Sequence, residues 1–280
     1  MRSLRRVCLA GALLAAIALA WPAAAQEKGL VALAPKGHRA ACDRDMIDTY
    51  GSREGAGLSN DFRVSGGEIL CQANLALPRF DLFESEFLER TLFEVLTQHG
   101  LRLADMRFES GTNFGEEHLL CTVTNLATLV RAFFERVDIH CFDVLKPTSD
   151  SLKALMAETL GSLQTNGDLR FRTHALTIAL HGHVDGVSAR EFLLRHIPYG
   201  PSKLGPPIAS GGVFYFGAEE DRIMSAITLD LSGAVQDGIF LRIHSVLDGD
   251  KLSPRAVPES GQKYLLTALN QLDLRIPTLG

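Results

Sequence analysis

The second half of this sequence repeats the local patterns of the first half, and this restricts the fold more than any other feature. Four short segments recur in the same order at nearly constant separation: Asn60–Arg63 and Gly167–Arg170, Glu86–Arg90 and Glu191–Arg195, Phe114–Gly115 and Phe216–Gly217, and Ile139–His140 and Ile243–His244. Such repeats indicate tandem structural units. We therefore predict two units, residues 60–165 and 166–280. The alternative is chance similarity within one larger α+β domain.

Both units show the periodicities of strand, helix, further strands and a closing helix. Residues 68–77 alternate apolar and polar side chains, as does the segment around Leu176–Leu180, and this pattern is typical of half-buried strands. Apolar stripes of helical period follow in each unit. We predict an α+β fold of two tandem repeats of strand–helix–antiparallel strands–helix. The repeats either stay separate or merge into one sheet with helices on one face. This order of elements resembles the duplicated saddle of TATA-binding-protein-like folds.

The N-terminus has the features of a secretory signal peptide, residues 1–25. Three arginines precede an uncharged apolar run, Val7–Trp21, and Ala23–Ala25 supplies the small residues that a signal peptidase recognises. Cleavage after Ala25 would place the protein in the periplasm or outside the cell. An uncleaved membrane anchor, and export through a twin-arginine signal at Arg5–Arg6, are the alternatives. Residues 26–59 lack clear periodicity and are predicted to form an N-terminal extension.

Charge and hydropathy exclude two classes of partner. The net charge is −5, whereas a protein that binds mainly nucleic acid needs a basic surface. No segment after the signal peptide is apolar over the ~20 residues that a membrane-spanning helix requires. We therefore expect no nucleic-acid partner and no membrane span in the mature chain.

The cysteines that remain after signal cleavage predict two disulfides. Cys42, Cys71, Cys121 and Cys141 would lie in an oxidising compartment, and none has the C-x-x-C spacing of metal or redox sites. Cys121 and Cys141 fall on the apolar faces of what the pattern presents as neighbouring strands. This favours the pair Cys121–Cys141 and leaves Cys42–Cys71 to fix the extension to the first strand. Other pairings, or buried free thiols, are the alternatives.

The segment after the second unit's first strand contains a candidate metal site. His181 and His183 point the same way from a strand, and Asp185 follows them. His244 is a candidate further ligand. The spacing resembles part of the H-x-H-x-D-H motif of metallo-β-lactamase-fold hydrolases, which implies one divalent ion such as zinc. The simpler interpretation is that these residues are exposed polar groups before a turn, with no cofactor.

Two other features predict a binding surface. Residues 199–212 form an insertion rich in Gly and Pro, in which Tyr199, Lys203 and Ile208 could contact a ligand or partner. His140, Arg242 and the equivalent His244 fall on the strand face opposite the apolar one. This face is predicted to bind a partner or to be an ordinary solvated side of an antiparallel sheet.

A further motif has the S-x-x-K spacing of serine β-lactamase-like enzymes. Ser260 and Lys263 carry it, but only a short segment follows them and no K-T-G appears. We predict instead that Ser260 is a helix N-cap.

These features lead to three functional hypotheses. The leading one is an exported, non-enzymatic module that binds an unknown protein or small ligand of the cell envelope. The second is a metal-dependent hydrolase that uses the His181-x-His183-x-Asp185 cluster. The third is a structural component of a larger envelope assembly.

Signal cleavage gives the first testable prediction. Protein recovered from an exporting cell should begin at Gln26, because Ala23–Ala25 provides the recognised small residues. Intact-mass measurement and N-terminal sequencing check this. Substitution Ala25→Arg should block processing and leave the longer chain, whereas an exported wild-type protein that keeps Met1 would show that the segment is an anchor.

Overall fold

A computed structural model describes residues 60–79, 85–110, 119–146, 149–197 and 210–277. In the first half the elements are β1 (Asn60–Leu75), α1 (Ser85–Gln98), β2 (Met106–Ser110), β3 (Leu119–Val123), β4 (Thr128–Ala132), β5 (Arg136–Cys141) and α2 (Ser149–Gly167). In the second half they are β6 (Phe171–Val184), α3 (Ala189–His196), β7 (Gly212–Phe216), β8 (Arg222–Leu231), β9 (Ile239–Asp248), α4 (Val257–Gln271) and β10 (Leu274–Arg275).

Several residues that carry predictions from the sequence lie outside these ranges. The signal peptide 1–25, the extension 26–59 with Cys42, and the loop residues Tyr199, Lys203 and Ile208 lie outside the described residues. In the described part, no helix is long and apolar enough to cross a membrane.

One sheet contains the strands of both halves, so the predicted α+β class is confirmed. Its order is β2-β3-β4-β5-β1-β6-β9-β8-β7, antiparallel throughout, and the short β10 pairs in parallel with β1. The halves join where β1 pairs with β6, from Phe62 opposite Val184 to Leu75 opposite Phe171. The order strand–helix–strands–helix occurs in each half. Four strands lie between the two helices of the first half, and three lie between those of the second. A duplication as its origin stays a prediction.

Alternating side chains build the central strands as the sequence predicts. Cys71, Ala73 and Leu75 of β1 are buried on one face, beside Leu176 and Ile178 of β6. Burying a leucine or isoleucine side chain of this set contributes about 2 kcal/mol of transfer free energy. The predicted boundaries of β1 were wrong, because the strand begins at Asn60 and ends before the exposed Leu77.

The helices cover one face of the sheet, here called the helix-covered face. The predicted apolar stripes are buried against it: Leu88, Leu92, Val95 and Leu96 of α1, Leu152, Leu155, Met156, Leu160 and Leu163 of α2, and Tyr264, Leu265, Ala268 and Leu269 of α4. α4 lies so close to β6 that any side chain at Gly261 would collide with Leu176. Ser188 is the N-cap of α3, since its Oγ accepts a hydrogen bond from the Glu191 amide at 3.3 Å, while the Glu191 carboxylate pairs with Arg195.

The predicted disulfide Cys121–Cys141 was wrong. β4 lies between β3 and β5, so Cys121 faces Val130 and the two cysteines are not on neighbouring strands. Both are free thiols, as is Cys71, and all three are buried on the helix-covered face. Burial raises the pKa of Cys71 and of Cys121 to about 12, which keeps these thiols protonated. The proposed partner of Cys71, Cys42, is outside the described residues.

The predicted helix cap at Ser260 was also wrong. α4 begins at Val257, and Ser260 lies inside it, where its hydroxyl donates a hydrogen bond to Asp221 Oδ2 at 2.8 Å. Tyr264, one turn further, donates to the other carboxylate oxygen of Asp221. The two hydroxyls therefore bind α4 to the residue before β8.

Protonation of His174 should destabilise the protein in acid. This β6 side chain is fully buried and neither ring nitrogen has a hydrogen-bond partner among the described residues, so burial lowers its pKa to about 4, against 6.5 when unfolded. The unfolded chain then binds the proton first, and stability present above pH 6.5 is lost as the pH falls towards 4. The loss from this group is about 3 kcal/mol.

Urea unfolding at a series of pH values checks this prediction. His174→Leu should reduce the loss between pH 6.5 and 4 by about 3 kcal/mol, while the other groups with lowered pKa values keep their share of it. The matched control is His99→Leu, because His99 is exposed and should leave the loss unchanged. Equal acid sensitivity of the wild-type and His174→Leu proteins would contradict it.

Candidate binding face

The other side of the sheet, here called the open face, carries the candidate functional residues. Among the described residues, no helix packs on it. Alternation along the strands sends every second side chain to this side. One row crosses the sheet centre through His140, Leu70, Thr177, His244 and Ala226, which lie opposite one another on β5, β1, β6, β9 and β8. Both halves of the chain therefore contribute to one continuous surface.

A histidine–carboxylate pair lies near the centre of the open face. His140 Nε2 is 2.9 Å from Glu68 Oε2, and because a carboxylate only accepts, the imidazole donates. This hydrogen bond lowers the pKa of Glu68, burial partly opposes it, and electrostatic interaction with His140, Arg242 and His181 lowers the pKa further. The hydrogen bond from His140 thus favours the anionic form of Glu68.

Arg242 reaches the same region from β9. Ala179 lies between Glu68 and Arg242 in the register, with one opposite it on each side. Because the Ala179 side chain is small, the longer side chains of Glu68 and Arg242 have space above it. Arg242 is exposed, so its guanidinium remains accessible to an anionic or hydrogen-bond-accepting group.

Two more imidazoles on the open face are held by hydroxyl groups. His181 Nδ1 is 2.8 Å from Ser232 Oγ, and its ring stacks at 4.8 Å on Phe240. His244 Nδ1 is 2.9 Å from Thr177 Oγ1. Burial lowers the pKa of both histidines, and the charge of Arg242 lowers that of His244 further, so both are neutral at pH 7. Because Nδ1 is engaged in each ring, Nε2 is the atom through which either could contact a ligand.

A second charged cluster lies on the same face towards β4. Asp138 is only 1% exposed, and its carboxylate is 3.2 Å from Arg136 Nε and 3.7 Å from Arg131 Nη2. Burial raises the pKa of Asp138, while the two guanidinium groups and a hydrogen bond from Gln72 act in the opposite direction. Glu135 lies 3.8 Å from Arg136 Nη1, so two carboxylates accompany the two arginines in this cluster.

The four predicted metal ligands are not brought together. His181 and His244 share the open face, but His181 lies opposite Phe240, four residues along β9 from His244, or about 13 Å at ~3.3 Å per residue. His183 is exposed, and Asp185 forms an ion pair with Arg63 at 2.7 Å. Within the described ranges, no three His, Cys, Asp or Glu side chains are grouped so that they could hold a metal ion.

The predicted binding residues His140 and Arg242 both lie on the open face, where His140 is hydrogen-bonded to Glu68 and Arg242 is two strands from Glu68 in the register. Sequence reasoning missed Glu68, Thr177 and Ser232 as members of this site. Alternation alone assigns Glu68 and Thr177 to the polar side of their strands. Their partners depend on the register between strands, which the sequence does not reveal.

Comparisons with known proteins give little further information. The sequence matches no protein-family model, and no curated protein matches it. Among solved structures, the chain is similar to a rolling circle replication initiator protein from Geobacillus stearothermophilus. The identity is 11%, the match covers 69% of this chain and 76% of that chain, and the TM-score is 0.31. A likeness at this level carries no argument about function.

The hydrogen bond from His140 should control the ionisation of Glu68. In His140→Ala the pKa of Glu68 should rise, because its main stabilising contact is lost while the burial that opposes ionisation remains. Carbon-detected NMR titration of the glutamate carboxyl groups measures this. His183→Ala is the control, since His183 is exposed and is not among the groups that act on Glu68. An unchanged Glu68 pKa in His140→Ala would contradict the assignment.

Proposed function

We propose that this protein is an exported, non-enzymatic binding module that recognises a protein or small ligand of the cell envelope through the open face. The observation that carries the proposal is the central group of Glu68, His140, His181, Arg242 and His244, which comes from four strands and both halves of the chain. The proposal that the protein is exported rests on the N-terminal sequence.

The chemistry of this group suits recognition of a polar ligand. Glu68 accepts hydrogen bonds, Arg242 donates them with a full positive charge, and neutral His181 and His244 do either through Nε2. The small side chain of Ala179 lies between Glu68 and Arg242 in the register and leaves room for a ligand there. A sheet supports such groups rigidly, which reduces the entropy lost on binding.

The arrangement favours binding over catalysis. Thr177 and His244 have the hydroxyl and imidazole of a nucleophile–base pair, and their atoms are 2.9 Å apart. Such a pair needs a carboxylate that orients the imidazole, but Glu68 is hydrogen-bonded to His140 instead. The metal-dependent hydrolase remains the weaker hypothesis, because its candidate ligands His181, His183 and Asp185 do not converge.

Charge reversal at Arg242 tests the proposal. Immobilised wild-type protein, Arg242→Glu and a matched control are exposed to envelope extract of the source cell, and the captured proteins and small molecules are identified by mass spectrometry. Arg242→Glu should lose the specific ligand by about tenfold or more, since truncating or reversing a charge in a binding site costs at least ~1.4 kcal/mol. Circular dichroism should show an unchanged fold.

The control is Arg190→Glu, which makes the same charge change at an exposed position of α3, on the other side of the sheet. It should capture what the wild-type protein captures. A ligand that binds Arg242→Glu as well as it binds the wild-type protein, but is lost from Arg190→Glu, would place the binding surface elsewhere and overturn the proposal.

A further inference from the structure

The two edges of the sheet differ in how they are protected from pairing with another strand. β2 forms one edge, and its open-face side chains Arg107 and Glu109 make an exposed ion pair at 2.9 Å. Charged side chains on an edge strand are a common protection against edge-to-edge association. β7 forms the other edge and contains only Gly, Val, Phe and Tyr.

The edge formed by β7 is apolar on both of its faces. Val213 and Tyr215 point to the open face and are 48% and 70% exposed, while Phe214 points to the helix-covered side and is 38% exposed. Half of the large apolar side chains that are exposed in the described residues lie on β7 and on its neighbour β8. Exposure concentrated at an edge in this way is typical of an interaction surface.

We propose that β7 is the interface of a homodimer, in which β7 pairs antiparallel with β7 of a second copy about a two-fold axis near Phe214. The occupant is a second copy because the strand is complementary to itself. With Phe214 opposite Phe214 of the second copy, Val213 lies opposite Tyr215 of that copy, and aromatic–β-branched pairs are favourable across strands.

The charge distribution supports this choice of partner. The full sequence has a net charge of −5, and removal of residues 1–25 with their three arginines would make it −8, so two copies repel one another overall and an uncharged segment suits their contact best. Residues 210–218 contain no charged side chain. In the proposed register, Glu219 and Glu220 of the two copies lie at opposite ends of the contact and do not face one another.

The dimer would join the two sheets into one. A two-fold axis perpendicular to the sheet brings both open faces to the same side, so that two Glu68–His140–Arg242 sites lie on one continuous surface. The interface itself does not depend on what those sites bind.

Sedimentation velocity of the protein as the cell produces it, at increasing concentration, tests the proposal. The wild-type protein should shift from monomer to dimer. Val213→Lys with Tyr215→Lys should weaken the dimer by about tenfold or more, because the lysines of the two copies face one another and the cross-strand apolar pairs are lost. The control pairs Leu77→Lys with Leu145→Lys, which makes the same charge change at exposed apolar sites away from β7 and should leave the dimer unchanged.

Hydrogen exchange of those amides of Gly212–Phe216 that point away from β8 provides the second measurement, because the other β7 amides bond to β8 in the monomer as well. Protection of these outward-pointing amides should rise with protein concentration in the wild-type and control proteins, but not in the β7 variant. Three results would overturn the proposal. These are a wild-type monomer at every concentration, a dimer that survives the β7 substitutions, and outward-pointing β7 amides already protected at concentrations where the protein is monomeric. The last would show that a segment of the same chain covers the edge.

Discussion

The antiparallel pairing of β1 with β6 is the contact on which the rest of the structure depends. It joins two halves of the chain along nearly the full length of their longest strands. Without it, each half would keep a sheet with a long unpaired edge strand, which is aggregation-prone. The same register places Glu68 of the first half opposite Ala179 of the second and within the electrostatic reach of Arg242. The pairing of β1 with β6 therefore builds both the sheet and the candidate site.

Covering only one face with helices gives the same residue type two different roles. His174 lies under the helices without a polar partner, and its low pKa makes it a neutral packing group. On the open face, His140, His181 and His244 each have a polar partner and one side towards solvent. The role of a histidine in this sequence can therefore be judged only when the side of the sheet on which it lies is known. The alternation of side chains along a strand predicts that side.

Alternation and helical periodicity predicted the α+β class, the helix stripes and the polar side of β6 that carries His181. They did not reveal β2, β4 and β7, and β7 is apolar on both faces, so it lacks the alternation of a half-buried strand. Because the sequence does not reveal β4, Cys121 and Cys141 are assigned from it to neighbouring strands. The link from His140 through Glu68 to Arg242 crosses three strand interfaces, and only the register of those strands could show it.

Whether the three buried thiols stay reduced can depend on how fast this chain folds. Cys71, Cys121 and Cys141 lie on β1, β3 and β5, and once the sheet is formed no oxidant can reach them. If the chain is exported as we propose, it reaches an oxidising compartment with those sulfurs in water, where they exchange and cross-link. The pairing of β1 with β6 joins residues far apart in the chain and is intrinsically slow. For an exported chain, folding would then compete with oxidation, and the native state would be the form in which the cysteines have escaped it.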